Sequence, residues 1–316
     1  MLEYRYDALD EMDELDEFGD PDPWAGDYQA APPGPAASPN LVPVANTRSV
    51  PYRWVCKILV KYPRSDLNFP VVGTPIGGAW LAGTGVLISA RYILTAGHNV
   101  RAIKGTKRYK PTEIHIVPAQ VPAGALPASA PFGVWRSSTK QTYTPEGLFD
   151  SNRDKARLFD YALVRVNRKN FKSLGKIRVP GTKQKFGWFG SNSGDSVKRF
   201  TNLFGDTIAH RKVNVAGFPM IAGGNRQMRR GFNLIDAVRP PLSAGGARAP
   251  LLRYRINARP GLSGAPIWLK ESNGNRRLIA IHSGRAGGNS FGLLLRSTVL
   301  GFLAQHGVPS DELRVT

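Results

Sequence analysis

Cysteine and long apolar runs are both scarce in this chain. A single cysteine, Cys56, among 316 residues excludes an internal disulfide, a CxxC redox pair and a zinc site of several thiolates. Cys56 lies inside the apolar run 54–60, so we expect a buried small side chain and no reactive thiol. No stretch approaches the roughly 18 apolar residues of a membrane span. The first residues also lack the basic and apolar regions of an ordinary secretion signal, so the compartment stays open.

Acidic residues are scarce outside the N-terminus. Residues 1–28 hold eleven of the 23 acidic residues and one of the 43 basic residues, a net charge of −10, which leaves +30 for the other 288. We expect residues 1–47 to form an acidic leader followed by a linker, because seven prolines lie between Pro21 and Pro43. The folded part is expected to begin near Val50.

The body of the chain is typical of an all-β protein. Apolar residues make up 41% of the sequence, enough for a sizeable core. Short segments rich in β-branched, leucine and aromatic residues alternate with turn residues, and a single terminal helix is expected at 297–306. The predicted strands are 54–61, 79–89, 92–96, 113–117, 161–166, 212–218, 252–257, 265–269, 278–283 and 291–295. The segments 118–158 and 181–210 lack such patterns and are predicted to be long surface loops.

Three polar residues stand at the ends of predicted strands. His98 closes the segment GTGVLISARYILTAGH, Asp160 begins DYALVRV, and Ser263 lies within PGLSGAPIW. A serine hydroxyl becomes a nucleophile when an imidazole removes its proton, and a buried carboxylate fixes the tautomer of that imidazole. The backbone N–H groups of Gly261 and Ser263, in a glycine-flanked turn, could bind an oxyanion.

These segments resemble known sequence blocks. TAGH at 95–98, DYALVRV at 160–166 and GLSGAP at 261–266 are similar, in the same order, to the TAAH, DIAL and GDSGGP blocks of chymotrypsin-like serine peptidases. With VNVAGFP at 213–219 and IAIHSG at 279–284, the chain resembles the bacterial glutamyl endopeptidase branch most. The resemblance covers about residues 50–306. It implies two six-stranded antiparallel β-barrels, at 48–172 and 173–316, after the leader 1–47.

The resemblance also implies a function. The triad would be His98, Asp160 and Ser263, with Gly261 and Ser263 as oxyanion donors, acting in a monomeric serine endopeptidase without metal or cofactor. The family suggests a secreted or cell-envelope protein. Its substrates would be proteins or peptides, acidic ones among them. Independently of the resemblance, the charge partition suggests that the leader is either an inhibitory pro-segment that lies on the basic body or an exposed tail recognised by an export or assembly partner.

Several positions depart from the family pattern. Leu262 replaces the aspartate that receives a new N-terminus in trypsin-type zymogens, so that activation switch should be absent. Asn99 replaces the cysteine that usually follows the catalytic histidine. Asn257, at the position of the base of the specificity pocket, disfavours Lys or Arg at the cleaved residue, P1. His282 and Arg285 would instead suit Glu or Asp, although they are equally compatible with a strand histidine and a solvated loop arginine.

Other functions compete with peptide hydrolysis. An α/β-hydrolase needs GxSxG, whereas Ala265 stands at the fifth position, and a metallohydrolase needs a motif such as HExxH, which is missing. The basic clusters 104–110, 165–176, 183–199 and 226–230 would bind phosphate backbones non-specifically, but no nucleic-acid-binding motif accompanies them. A catalytically silent binding scaffold is disfavoured because all three triad residues are present. His115, His210 and His306 are expected to be structural or surface residues.

Overall fold

The computed structural model describes most of the body of the chain. The described residues are 40–63, 72–73, 79–104, 107–122, 128–150, 156–167, 177–191, 195–197, 211–220, 227–239, 251–286, 289–313 and 315. Residues 1–39 of the expected leader, His210 and the expected domain boundary near residue 172 lie outside them. The division of the chain at 47 and 172 therefore remains a prediction.

The strands are, in chain order, β1 (Val42–Pro43), β2 (Val55–Lys61), β3 (Val72–Gly73), β4 (Ala79–Leu87), β5 (Tyr92–Thr95), β6 (Ala102–Lys104), β7 (Lys107–Tyr109), β8 (Glu113–Pro118), β9 (Trp135–Ser137), β10 (Thr142–Tyr143), β11 (Ala162–Arg165), β12 (Ser196–Val197), β13 (Lys212–Gly217), β14 (Arg229–Arg239), β15 (Leu251–Tyr254), β16 (Pro266–Lys270), β17 (Arg276–Ala286) and β18 (Asn289–Leu294). One helix, α1 (Ser297–Gln305), follows β18.

The N-terminal sheet is antiparallel and curls round on itself. Its strand order is β10-β11-β5-β4-β2-β8-β9, and β3 pairs with β4. It closes because β9 is joined to the end of β11: the Asn167 N–H donates to the Arg136 carbonyl at 2.9 Å and the Ser137 hydroxyl donates to the Arg165 carbonyl at 2.7 Å. The apolar side chains of β2, β4, β5 and β11 fill the interior, with Ile58, Val86, Ile93 and Val164 fully buried.

The C-terminal sheet closes into a six-stranded barrel. The order is β14-β13-β16-β17-β18-β15, and β14 pairs with β15 to complete the ring. The long strand β14 can belong to both sides because a bulge between Ile235 and Ala237 bends it, so its first half pairs with β13 and its second with β15. Val215, Ile267 and Ile279 lie in the barrel core. The two sheets confirm the all-β, two-barrel prediction, although the N-terminal sheet has seven strands in its order and β3 beside β4, where six strands were expected.

Helix α1 packs its apolar stripe on the body and ends at a glycine. Val299 and Leu303, four residues apart, are its buried residues. Gly307 has φ +79°, and the N–H groups of Gly307 and Val308 donate to the carbonyls of Ala304 and Leu303. This is the Schellman arrangement that satisfies the last carbonyls of a helix.

All ten predicted strands are present, but the sequence missed others. The segment 118–158, expected to be loop, contains β9 and β10, and 181–210 contains β12. The basic cluster 226–230, for which no strand was predicted, includes the start of β14. Within β14, Gly231 and Ile235 are buried and Arg230 and Phe232 are exposed. The strand therefore has the alternation of a barrel wall, but the arginines at its start make this pattern hard to recognise in the sequence.

The first described residues belong to the C-terminal barrel. β1 pairs with β14, Leu41 is buried beside Ile256, and the Arg229 guanidinium donates to the Leu41 carbonyl at 2.8 Å. Residues 41–44 were expected in the linker because of their prolines. Ordered pairing therefore begins upstream of Val50.

Candidate active site

His98 and Asp160 meet because their strands are neighbours. β5 and β11 are antiparallel with Thr95 opposite Ala162, so the residues after β5 and before β11 lie at the same edge of the sheet. His98 stands in the short 3₁₀ turn Gly97–Asn99. Its Nδ1 lies 2.8 Å from Asp160 Oδ2, and its backbone N–H donates to Asp160 Oδ1 at 2.9 Å.

Asp160 is a buried carboxylate held in its charged form. The residue is 6% exposed, and the Ser283 hydroxyl donates to Oδ2 at 2.8 Å. Burial by itself raises the pKa of Asp160, but the charge of His98 and the hydrogen bonds from His98 and Ser283 outweigh it and hold the pKa below its ordinary value. A charged Asp160 accepts the Nδ1 hydrogen of His98 and thereby leaves Nε2 as the basic nitrogen of the ring.

Ser263 lies in a tight turn whose glycines have left-handed backbone angles. Gly261 has φ +87° and Gly264 has φ +81°, a conformation that residues with a Cβ rarely adopt. A Cβ on Gly264 would also collide with the Thr84 carbonyl and the Thr95 hydroxyl. The Gly264 N–H donates to the His282 carbonyl at 2.7 Å, and the His282 N–H donates to the Ala265 carbonyl at 2.8 Å. The turn is thus fixed to β17.

Hydrogen bonds across the barrel junction hold the serine turn next to the histidine turn. The Ser263 carbonyl accepts from the Thr84 N–H at 2.9 Å and from Asn99 Nδ2 at 2.8 Å. The Thr84 hydroxyl donates to the Gly261 carbonyl at 2.8 Å and accepts from the Phe218 N–H at 3.0 Å. We call this set, Thr84, Asn99, Gly261 and Ser263, the inter-barrel clamp. It holds the turn that carries Ser263 beside the turn in which His98 is bonded to Asp160.

Two contributors to this arrangement were not found from the sequence. Thr84 has the pattern of an ordinary strand residue, and Ser283 stands out only as a member of the IAIHSG block. Asn99 was noted only as a missing cysteine. Their roles depend on partners 123 to 177 residues away in the chain, which strand patterns do not reveal. The single signal for Ser283 was its position directly after His282.

The two polar backbone groups of Gly261 differ in their hydrogen bonding. Its carbonyl is held by Thr84, while among the described residues its N–H has no hydrogen-bond acceptor. Between Gly261 and Ser263, Leu262 is fully buried in the core of the C-terminal barrel with Ala265 and Ile267. An apolar side chain therefore occupies the place where a trypsin-type zymogen would need an aspartate.

The three residues predicted to bind substrate lie in different environments. His282 is 2% exposed, and its Nδ1 lies 2.6 Å from the hydroxyl of Tyr254. Arg285 is exposed near the end of β17, opposite Ser290 of β18. Asn257 directs its amide away to Asn40, with Nδ2 3.0 Å from the Asn40 Oδ1. Of the three, His282 is joined to the serine turn by hydrogen bonds.

The other residues singled out from the sequence lie outside this arrangement. Cys56 is buried, and burial raises the pKa of its thiol. His115 is buried on β8 against Trp80, and His306 stacks on Tyr143. Within the described part of the chain, no cluster of three or more His, Cys, Asp or Glu is placed to hold a metal. No helix there is long and apolar enough to span a membrane.

Solved serine proteases share this architecture. A Glu endopeptidase in complex with MPD is similar with a TM-score of 0.56 and 18% sequence identity, over 85% of this chain and 96% of that one. The protease Anisep from Arthrobacter nicotinovorans gives 0.51 and 17%, over 80% and 95%. HL collagenase gives 0.53 and 14%, over 84% and 97%. The chain therefore has the fold of the trypsin-like serine proteases.

Sequence comparison adds no closer relative. No protein-family model matches the chain, and no curated protein sequence matches it.

Proposed function

We propose that the protein is a serine endopeptidase with His98, Asp160 and Ser263 as its triad. The observation that carries the proposal is one junction: Asp160 holds His98 Nδ1 at 2.8 Å, and Asn99, the next residue, holds the Ser263 carbonyl at 2.8 Å. A hydroxyl, an imidazole and a buried carboxylate from three distant segments are thus available at one edge of the barrel interface, and we infer that they act as nucleophile, base and orienting carboxylate.

The chemistry follows from these groups. Ser263 Oγ attacks the carbonyl carbon of the peptide bond, and His98 Nε2 takes the hydroxyl proton. The imidazolium that forms is stabilised by the charged Asp160, and it then gives the proton to the leaving amine, which leaves an acyl-enzyme. Water, activated by His98, hydrolyses the ester and restores Ser263. Each step uses groups of this chain and the two substrates, so the reaction requires no metal or cofactor.

The oxyanion of the tetrahedral intermediate would be bound by the N–H groups of Gly261 and Ser263. Loss of one such donor typically costs about 3 kcal/mol of transition-state stabilisation. The clamp bond from Thr84 to the Gly261 carbonyl supports this role, because it holds the Gly261–Leu262 peptide group, which links the two peptide groups that carry the proposed donors.

For specificity we propose a preference for Glu or Asp at P1. His282 lies beside the serine turn, Arg285 is the nearest cation on the same strand, and Asn257 supplies no carboxylate to attract Lys or Arg. A solved protein of the same fold is described as a Glu endopeptidase, which agrees with this preference. Substrates would then be acidic proteins or peptides, in keeping with the +30 charge of residues 29–316.

Labelling and mutagenesis test the activity. A biotinylated fluorophosphonate should label the wild-type protein at Ser263, and Ser263→Ala should lose both labelling and hydrolysis of a mixed peptide library. Thr47→Val, which changes a buried threonine far from the triad, serves as the control and should label normally. If the wild-type protein without residues 1–39 neither labels nor cleaves, the fold serves as a catalytically silent scaffold and the proposal is wrong.

The cleavage profile tests the specificity separately. Peptide-library cleavage mainly after Glu, with Asp second, is expected. Cleavage mainly after large apolar or basic residues would remove the role of His282 and Arg285 and leave the triad untouched.

The remaining proposals concern partners. The acidic leader would bind the basic body as an inhibitor or address the protein to an export or assembly partner. Binding to nucleic acid is expected to be non-specific and to vanish at physiological salt. Sequence-selective retention at that salt would favour a nucleic-acid-binding function instead.

A further inference from the structure

A buried hydrogen bond lies directly behind the serine turn. Tyr254 on β15 and His282 on β17 flank β18, and the Tyr254 hydroxyl lies 2.6 Å from His282 Nδ1. Tyr254 is fully buried and His282 is 2% exposed. The two rings meet edge to face, with centroids 6.1 Å apart. Sequence patterns gave no reason to single out Tyr254.

The surroundings of Tyr254 determine the direction of this hydrogen bond. Its ring lies in the apolar core of the C-terminal barrel with Ile256, Ile267 and Leu294. Among the described residues, His282 is the hydrogen-bond partner of its hydroxyl. Burial raises the pKa of Tyr254 well above its ordinary value, so the group keeps its hydrogen. A buried O–H that donated nowhere would carry the full cost of desolvation, so the hydrogen goes to Nδ1.

The direction of the Tyr254–His282 hydrogen bond determines which nitrogen of the His282 ring carries the hydrogen. A nitrogen that accepts a hydrogen bond carries no hydrogen, so the hydrogen of the neutral His282 ring resides on Nε2. The backbone of His282 is tied to Gly264 and Ala265, and the next residue, Ser283, is bonded to Asp160. Both the tautomer and the position of the ring are therefore set by contacts to the catalytic turn and to Tyr254.

We propose that Tyr254 is a positioning residue that locks His282 as the neutral Nε2–H tautomer, so that His282 serves as a hydrogen-bond donor to the P1 side chain. The inference rests on the proposed function for its substrate and on the Tyr254–His282 bond for its geometry. Recognition then requires an acceptor oxygen at the end of the P1 side chain. A carboxylate accepts a stronger hydrogen bond than an amide does, which orders Glu before Gln and both before Ala.

Nitrogen NMR tests the lock without any substrate. In protein labelled with ¹⁵N-histidine, the His282 ring, assigned by its loss in His282→Asn, should show a hydrogen-bearing Nε2 and an unprotonated, hydrogen-bonded Nδ1 at neutral pH. Tyr254→Phe removes the donor, so the ring should shift towards a mixture of tautomers. Tyr62→Phe, which removes a buried hydroxyl from the N-terminal barrel, should leave the His282 signals unchanged. A hydrogen on Nδ1 in the wild-type protein overturns the lock even if Tyr254→Phe does not fold.

Kinetics tests its consequence for specificity. In Tyr254→Phe the ratio of kcat/KM for P1 Glu to that for P1 Ala should fall about tenfold, with the P1 Ala value retained. An unchanged ratio beside an altered tautomer would overturn the specificity role. A wild-type protein with the lock but without preference for Glu would instead contradict the P1 assignment of the proposed function and leave the lock in place.

Discussion

Replacing Thr84 by valine should damage the active site from the other barrel. Thr84 lies on β4, is fully buried, and joins two groups of the serine-bearing barrel through its hydroxyl: it donates to the Gly261 carbonyl and accepts from the Phe218 N–H. Valine has almost the same shape but cannot form either bond. Two buried backbone groups then lose their partner, at about 1–3 kcal/mol each, so the expected loss in free energy of unfolding is roughly 2–6 kcal/mol.

The same substitution should slow catalysis in the fraction that stays folded. Without the Thr84 bond, the peptide group after Gly261 keeps only the Leu262 N–H bond to the Arg259 carbonyl, so the neighbouring peptide groups that carry the proposed oxyanion donors are held less firmly. A complete loss of one donor lowers kcat by about 10²–10³-fold, which sets the upper limit of the effect. KM should change little, because the proposed P1 contacts His282 and Arg285 lie on β17.

Urea unfolding and steady-state kinetics on the same preparations measure both effects. Thr47→Val is the matched control, because Thr47 is also buried and its hydroxyl donates to a single carbonyl, that of Ala119, at 2.8 Å. It should lose about half as much stability and keep its kcat. A Thr84→Val variant that matches Thr47→Val in kcat would refute the idea that the clamp positions the oxyanion donors.

Three further predictions concern charge, backbone and leader. The depressed pKa of Asp160 means that its contribution to stability is complete above the ordinary carboxyl pKa and is lost as pH falls through the lower folded pKa. Asp160→Asn should therefore flatten the acid limb of the unfolding free energy, measured in urea below about pH 4; an identical limb would contradict the assignment. Gly264→Ala should lower stability by at least about 3 kcal/mol in the same assay, since φ is +81° and the new Cβ meets the clamp. Removing residues 1–39 should raise hydrolysis at low salt and make no difference near 1 M salt, where charges are screened; equal rates at low salt would exclude an inhibitory leader.

The sequence reveals those parts of the fold in which local pattern and burial agree. β2 and β5 are runs of apolar residues that are buried along almost their whole length. The turn before β16 is recognisable in the sequence by its two glycines, Gly261 and Gly264. β14 was missed because two arginines begin it and Gly231, Asn233 and Asp236 interrupt its apolar residues, so an average over the segment does not indicate a strand.

The candidate site divides in the same way. His98, Asp160 and Ser263 are recognisable because each lies in a distinctive block at a strand end. Thr84, Tyr254 and Ser283 carry no such mark, since each acts on a residue that only the closed barrels bring near. Hydroxyl side chains of this kind are common in strands, and their partners are a property of tertiary structure.

The clamp also bears on how the chain is made. Its bonds join Asn99 to Ser263 and Thr84 to Gly261 across 164 and 177 residues, whereas His98 and Asp160 are 62 apart. The N-terminal sheet can close while the rest of the chain is still being synthesised. The clamp, however, cannot form before the serine turn has been synthesised, and Asp160 lacks its hydrogen bond from Ser283 until β17 is in place. Long-range contacts of this kind are the slow part of folding. A growing or partly folded chain can therefore hold a complete His98–Asp160 pair without Ser263 beside it, and under the proposed function it would gain proteolytic activity only when folding is nearly finished.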